Sequence, residues 1–254
     1  MKQQQDIYRV LIFDVEGDYA HFRRFYTTTS PLTFPIPPRT ALCGLLGAIL
    51  GLEKRDNQYL KDFPTNKAFI GLRLLEPIKK VRIAENLIDT KTAKGIGMNL
   101  IERHTQINFE FIKDPKYRIY FYHIVGEIYR QMEENLKYHK SIYTPCLGLS
   151  ENIANFEFVG EFKVEPKNSD NDFVEINSIL PAEKTLTEGG IKFDMGSEYF
   201  SVRIPIELNV DRVVTKYSDI LFERNGKPIK AKMVEPYWEV RYENGARENF
   251  IFIE

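Results

Sequence analysis

The chain has 254 residues, a formal net charge of −1, 43% hydrophobic residues and two cysteines. That length buries a sizeable core in one large domain or two small ones. Cys43 and Cys146 supply neither a disulfide framework nor a CxxC metal spacing, and the near-neutral charge argues against a generic polyanion binder. The opening Met1-Lys2-Gln3-Gln4-Gln5-Asp6 has no apolar signal core. The longest uncharged apolar run, residues 40–52, falls short of the roughly 20 residues a bilayer span needs. A soluble, cytoplasmic, reducing setting without a membrane partner is expected. Residues 1–150 carry 22 Lys and Arg against 16 Asp and Glu, while residues 151–254 carry 13 against 20. The first half is therefore expected to face a polyanion.

In chain order, Ile7 to Val15 is almost continuously apolar, as a central strand covered on both faces would be. A Thr-, Ser- and Pro-rich loop follows to Arg39. Its prolines suit the first turn of a helix, which is predicted from about residue 38 to 53. Gly44, Gly47 and Gly51 are spaced three and four apart and predict one glycine face pressed against a sheet or a ligand. Ala68 to Leu75 is a second strand. Residues 77–116 exceed ordinary loop length; the wider span 71–118 holds ten Lys and Arg against six acids. An extended basic hairpin with Gly95-Ile96-Gly97 near its tip is predicted there. Tyr117 to Ile124 is a third strand. Gly126 to Tyr138 is an amphipathic helix, with Ile128, Met132 and Leu136 on one face and a Glu133–Lys137 pair. Phe156 to Val164 is a fourth strand.

The order strand, helix, strand, strand, helix, strand predicts an α+β fold: a ferredoxin-like (RRM-like) βαββαβ domain over residues 1–165 with a thumb hairpin inserted at 77–116. Residues 166–254 are predicted as a smaller, mainly β domain, entered through a polar linker at 166–172. Tyr199 to Val210 turns Val202, Ile204, Ile206 and Leu208 to one side. Asn225-Gly226 and Asn244-Gly245 are hairpin signals.

Arg23 and Arg24, set among hydroxyls, suit phosphate contacts, and so does Arg39 at the predicted helix start. In the insertion, Lys91, Lys94, Arg103, His104 and Lys113 are candidate RNA contacts. Arg118, Tyr120 and Tyr122 share one strand face, where they either stack bases or pack in a core. The four histidines show no metal-ligand spacing, and the glycine-rich helix lacks the Gly-Lys-Ser/Thr ending of a nucleotide-binding loop. His104, with Arg103, Lys113 and Tyr117, could compose a metal-free ribonuclease, which needs a base and a cation. A surface or RNA-contacting histidine is the other reading. No catalytic residue, metal or cofactor is assigned.

Gly17-Asp18-Tyr19-Ala20-His21-Phe22-Arg23, Thr27-Thr28-Thr29-Ser30-Pro31 and Pro37 to Gly51 resemble the fifth CRISPR-associated (Cas) family of the RAMP superfamily. Thr144-Pro145-Cys146-Leu147-Gly148-Leu149-Ser150-Glu151 resembles its second signature. The likeness covers about residues 1–165, is loose beyond them, and the subtype looks like I-B. It implies a thumb-bearing ferredoxin-like subunit of a Cascade surveillance complex in antiviral defence. Such a subunit holds the 5′ handle of the CRISPR RNA, touches the backbone and large subunits, and meets target DNA only indirectly. It also implies that another protein processes the RNA. One relative, of subtype I-C, does cut precursor RNA, but its Tyr/Lys/His constellation finds no firm match here. Two alternatives stay open: a metal-independent endoribonuclease, and an assembly subunit that does not touch RNA.

Overall fold

The computed structural model describes residues 7–25, 27, 30–53, 55–88 and 104–254. In chain order the elements are β1 (Arg9–Glu16), β2 (Tyr19–Ala20), α1 (Arg39–Leu50), α2 (Gln58–Asp62), β3 (Ala68–Leu74), β4 (Lys79–Ile88), β5 (His104–Lys113), β6 (Lys116–His123) and α3 (Gly126–Lys137). They continue with β7 (Asn155–Lys167), β8 (Val174–Ile176), β9 (Leu180–Pro181), β10 (Ile191–Lys192), β11 (Tyr199–Leu208), β12 (Val214–Glu223), β13 (Ile229–Ala231), β14 (Tyr237–Arg241) and β15 (Arg247–Phe250). The chain is a mixed α and β protein made mostly of strands.

The apolar run of β1 reflects two cores, because successive side chains of a strand point to opposite faces. Leu11, Phe13 and Val15 enter one core with Leu42, Leu46 and Ile49 of α1 and Met132 and Leu136 of α3. Val10 and Ile12 enter the other with Tyr120, Trp238, Phe250 and Phe252. Around β1 the strand order is β7-β1-β6-β3, with every neighbouring pair antiparallel. α1 lies on the connection from β1 to β3, and α3 on that from β6 to β7. Gly51 is not in the helix interior as its spacing suggested. It is the left-handed C-cap of α1, φ 76°, and its amide donates to the Gly47 carbonyl.

β4 and β5 form the long antiparallel hairpin, in register from Lys79↔Lys113 to Ile88↔His104. Its predicted glycine tip lies outside the described residues. The Asn244-Gly245 signal does cap a hairpin, β14–β15. This hairpin extends the main sheet beyond β7, and the segment after it returns to β3, where the Ile253 amide donates to the Ile70 carbonyl at 2.8 Å. The sheet thus curls on itself, with Phe250 stacked on Tyr120 at 4.1 Å.

Asn225-Gly226 makes a turn but no hairpin. β12 pairs with β11 and β9, whereas β13 pairs with β8 and β10. The physical reason is Glu223, which is buried. Its carboxylate accepts the amides of Asn225, Lys227 and Glu198 at 2.8, 3.0 and 3.1 Å, so the turn's donors are satisfied without strand pairing. Burial opposes the Glu223 charge, and these donors outweigh it, holding the carboxyl below its usual range.

Candidate nucleic-acid interface

The segment after β2 is a short ribbon folded on itself. The Phe34 amide donates to the Phe22 carbonyl at 2.8 Å and the Arg24 amide to the Leu32 carbonyl at 2.9 Å. Buried Thr33 accepts the Phe22 amide on its hydroxyl at 2.9 Å. Glu110 of β5 ties this ribbon to the foot of the hairpin. Its amide donates to the Pro31 carbonyl at 3.0 Å, and its carboxylate pairs with Lys80 at 2.7 Å. His21 is buried against Phe109 and Phe111, its Nδ1 donating to the Glu110 carbonyl at 2.8 Å. Burial pulls this histidine below its ordinary pKa, which favours the neutral ring.

The segments that carry the family resemblance meet here, although far apart in sequence. The His21 amide donates to the Leu147 carbonyl at 3.0 Å, and the Tyr143 amide to the Ala48 carbonyl at 3.0 Å. Gly148 has φ 96°, and a Cβ there would collide with the His21 carbonyl. Only glycine fits this contact. Between these segments runs a groove of about 910 Å³, lined among others by Arg23, Thr40, Gly44, Gly47, Tyr143 and Arg212. Among the described residues no atom lies within 4 Å of where a Gly44 Cβ would stand, so Gly44 is open to the groove, whereas a Gly47 Cβ would meet Tyr59 at 3.4 Å and Phe63 at 3.9 Å.

Of the residues singled out in the sequence, Arg23 is exposed at this groove, donating to the Thr27 carbonyl at 3.3 Å. Arg24 is partly buried, its Nε held by the Thr33 carbonyl at 3.1 Å. Arg39 corrects the sequence reading, being 1% exposed. Its guanidinium donates to the carbonyls of Phe63, Ala68 and Ile206 at 3.0, 2.7 and 3.4 Å, so it joins α1 to the strands instead of facing a phosphate. Lys91, Lys94 and Arg103 lie outside the described residues. His104 is exposed at the far end of β5 and Lys113 at its foot. At strand rise that separates them by about 30 Å, and Tyr117 is buried, its phenol pushed well up by desolvation. His104, Lys113 and Tyr117 therefore do not converge.

On the β6 face, of the two readings left open, core packing is the one the structure shows. Tyr120 is buried and donates to Glu248 at 2.6 Å. Arg118 makes a two-pronged pair with Asp14 at 2.8 and 2.9 Å and reaches Glu248 at 3.0 Å. Burial works against the Arg118 charge, but these carboxylates outweigh it and push its pKa further up. Tyr122 packs against Phe69 and Tyr129. This face is the interior of the curled sheet, so Arg118 and Tyr120 are not open to bases. Conversely, Phe25, Arg203, Arg212 and Tyr217 went unmarked. The one available signal was the alternation of residues 199–210, which puts Arg203 on the side opposite its apolar neighbours.

Among the described residues, no group of three or more His, Cys, Asp or Glu could hold a metal ion, and no helix is long and apolar enough to cross a membrane. Residues 10–109 match the model of a family described as CRISPR-associated protein (Cas_Cas5). A CRISPR protein from Archaeoglobus fulgidus shares the fold at TM-score 0.54 and 15% identity, over 97% of this chain and 100% of that one. A chain of a CRISPR RNA-guided surveillance complex superposes at TM-score 0.52 and 13% identity, over 87% of this chain and 91% of its own. No curated protein matches the sequence. The matched stretch holds β1, the ribbon and α1, so this part of the chain, though not the 143–149 side of the groove, is similar to the Cas5 family of CRISPR-associated proteins.

Proposed function

We infer that the chain is a non-catalytic, RNA-holding subunit of a CRISPR effector complex, working in the cytoplasm. The RNA is the 5′ handle of the guide, and the complex is a Cascade of I-B-like type. The observation that carries this reading is the meeting of residues 17–23, 37–51 and 144–151 around one groove rimmed by Arg23 and Arg212, at the foot of a long hairpin. An open, glycine-floored groove with arginines at its rim suits a phosphate backbone. The strand order β7-β1-β6-β3 supports a ferredoxin-like domain over residues 1–165, and β4–β5 then forms the thumb. The exposed His104 and Lys113 belong to that thumb, beside RNA or the backbone subunit. The large subunit is a further neighbour, and target DNA is met through the guide.

The test is retention of labelled CRISPR-repeat RNA by the Arg23→Glu/Arg212→Glu variant across a salt series. Each lost phosphate contact lowers the slope of log affinity against log salt by about 0.7 for a single strand. A slope and affinity equal to the unaltered protein would overturn the groove. Specific cleavage of that RNA by pure protein in EDTA, lost in His104→Ala, would overturn the non-catalytic reading.

A further inference from the structure

A second cleft, of about 770 Å³, opens beside the groove. Its walls come from three places: the ribbon (Arg24, Phe25, Pro35), the foot of the hairpin (Ile78, Lys80) and the β11–β12 pair with the residue that follows (Phe200, Arg203, Tyr217, Arg224 among them). Backbone and side-chain bonds lock these together. The Ile78 amide donates to the Arg224 carbonyl at 3.0 Å, and Arg224 Nε returns to the Ile78 carbonyl at 3.2 Å.

The lining is unusual in two respects. It contains four cations, Arg24, Lys80, Arg203 and Arg224, and no acid. Glu110 and Glu198 pair with Lys80 and Arg224 from outside the lining, and Asp219 stands across from Arg203 in the strand register. It also gathers large aromatic surfaces that folding has left in water. Phe25 is 67% exposed, Phe200 48% and Tyr217 36%. Scattered exposed aromatics are ordinary, but a cluster of them in a basic cleft marks a binding surface. The Phe25 and Tyr217 rings lie 6.1 Å apart at 57°, and the Arg203 guanidinium sits over Tyr217 at 5.5 Å. Aromatic rings beside arginines form the platform on which single-stranded bases stack. Phe25 lines both the cleft and the groove, so a base turned out of a strand in the groove meets this ring first.

We propose that the cleft seats one nucleobase splayed out of the RNA strand, stacked on Phe25 or Tyr217, with its flanking phosphates on Arg24 and Arg203. The proposal rests on the RNA-holding reading and adds to it a base-recognising site to which the acidic half of the chain contributes Arg203 and Tyr217. The pocket volume is ample for one nucleotide and its bound water.

The test uses the full chain and single-stranded CRISPR-repeat RNA substituted with 5-bromouridine. Ultraviolet adducts are expected on Phe25, Phe200 or Tyr217. The Phe25→Ala/Tyr217→Ala variant should lose affinity roughly 5- to 150-fold, the range for one base–aromatic stack. The salt slope should stay unchanged, and Phe25→Trp/Tyr217→Phe should restore binding. Both rings are exposed, so the thermal midpoint of the alanine variant should equal that of the parent. If the alanine variant binds as tightly as the parent while Arg23→Glu/Arg212→Glu weakens binding, the cleft proposal fails and the RNA-holding reading stands. If the parent itself does not bind RNA, both fail. If the alanine variant keeps full RNA affinity but no longer copurifies with its partner subunits, the cleft takes a protein side chain and the base site is overturned.

Discussion

Two constellations in this protein share the same chemistry and have opposite surroundings. On β6, Arg118 and Tyr120 are joined by Arg73 and Tyr242, and all four converge on the carboxylate of Glu248. Around the cleft, Arg24 and Arg203 stand with Phe25 and Tyr217, and the lining has no acid. The first set is largely buried inside the curled sheet, with its charges matched by Asp14 and Glu248. The second keeps aromatic area and positive charge at the surface. An arginine–tyrosine pattern on a strand is thus not evidence of nucleic-acid contact by itself. The deciding feature is whether the matching carboxylate closes the site from within, as Glu248 does, or stands outside a lining that stays open, as Glu110 and Glu198 do around the cleft.

This contrast can be broken most forcefully at Glu248. Glu248→Ala leaves two guanidinium groups and two phenols around an empty site in the sheet interior. Removing one partner of a buried pair costs about 3–5 kcal/mol, so the urea midpoint should fall steeply while the RNA affinity of the folded fraction stays as in the parent. An affinity loss without a stability loss would place RNA on β6 after all. Next in size is Arg39→Met, which leaves three carbonyls without their charged donor. Hydrogen bonds to a charged group contribute about 1.5–3 kcal/mol each, less whatever water or relaxation recovers, so a net loss of about 3 kcal/mol is expected. The salt slope of RNA binding should not move. A flattened slope with unchanged stability would return Arg39 to the interface.

The smallest effect concerns His123. Its Nε2 donates to the Asp62 carbonyl at 2.8 Å, and its Nδ1 accepts the Val125 amide at 3.0 Å, so both nitrogens are committed in the neutral form. Burial lowers its folded pKa below the unfolded value of about 6.5. Below that value the unfolded chain binds more protons, so this stabilisation is complete above about pH 6.5 and is lost as the pH falls through it. His21 shifts in the same direction. The fall in urea midpoint between about pH 7.5 and 5.5 should be smaller in His123→Gln than in the parent. An equal fall in both would remove His123 as a contributor.

Much of the architecture was legible because it is written in local patterns. The predicted helix from about residue 38 is α1 at Arg39–Leu50, and the strand at 68–75 is β3 at Ala68–Leu74. The helix predicted at 126–138 is α3 at Gly126–Lys137. The signature segments were legible as residues but not as a place. Their meeting depends on hydrogen bonds such as His21 to Leu147 and Tyr143 to Ala48, which no spacing along the chain announces. The division into a basic and an acidic half was informative only in part. Arg203, Arg212 and Arg224 of the acidic half lie at the groove and cleft beside Arg23, Arg24 and Lys80.

Periodicity and residue type alone determined the longer elements: β1, α1, β3, β6, α3 and β7, the hairpin that caps on Asn244-Gly245, and which family the segments resemble. Tertiary structure alone decided which polar groups are inside. Arg39 would look the same at a helix start facing solvent; its acceptors are the carbonyls of Phe63, Ala68 and Ile206, 24, 29 and 167 residues away. Propensity acts between near neighbours, whereas burial and charge pairing depend on distant segments brought together, and these set which arginines and tyrosines remain available to a ligand.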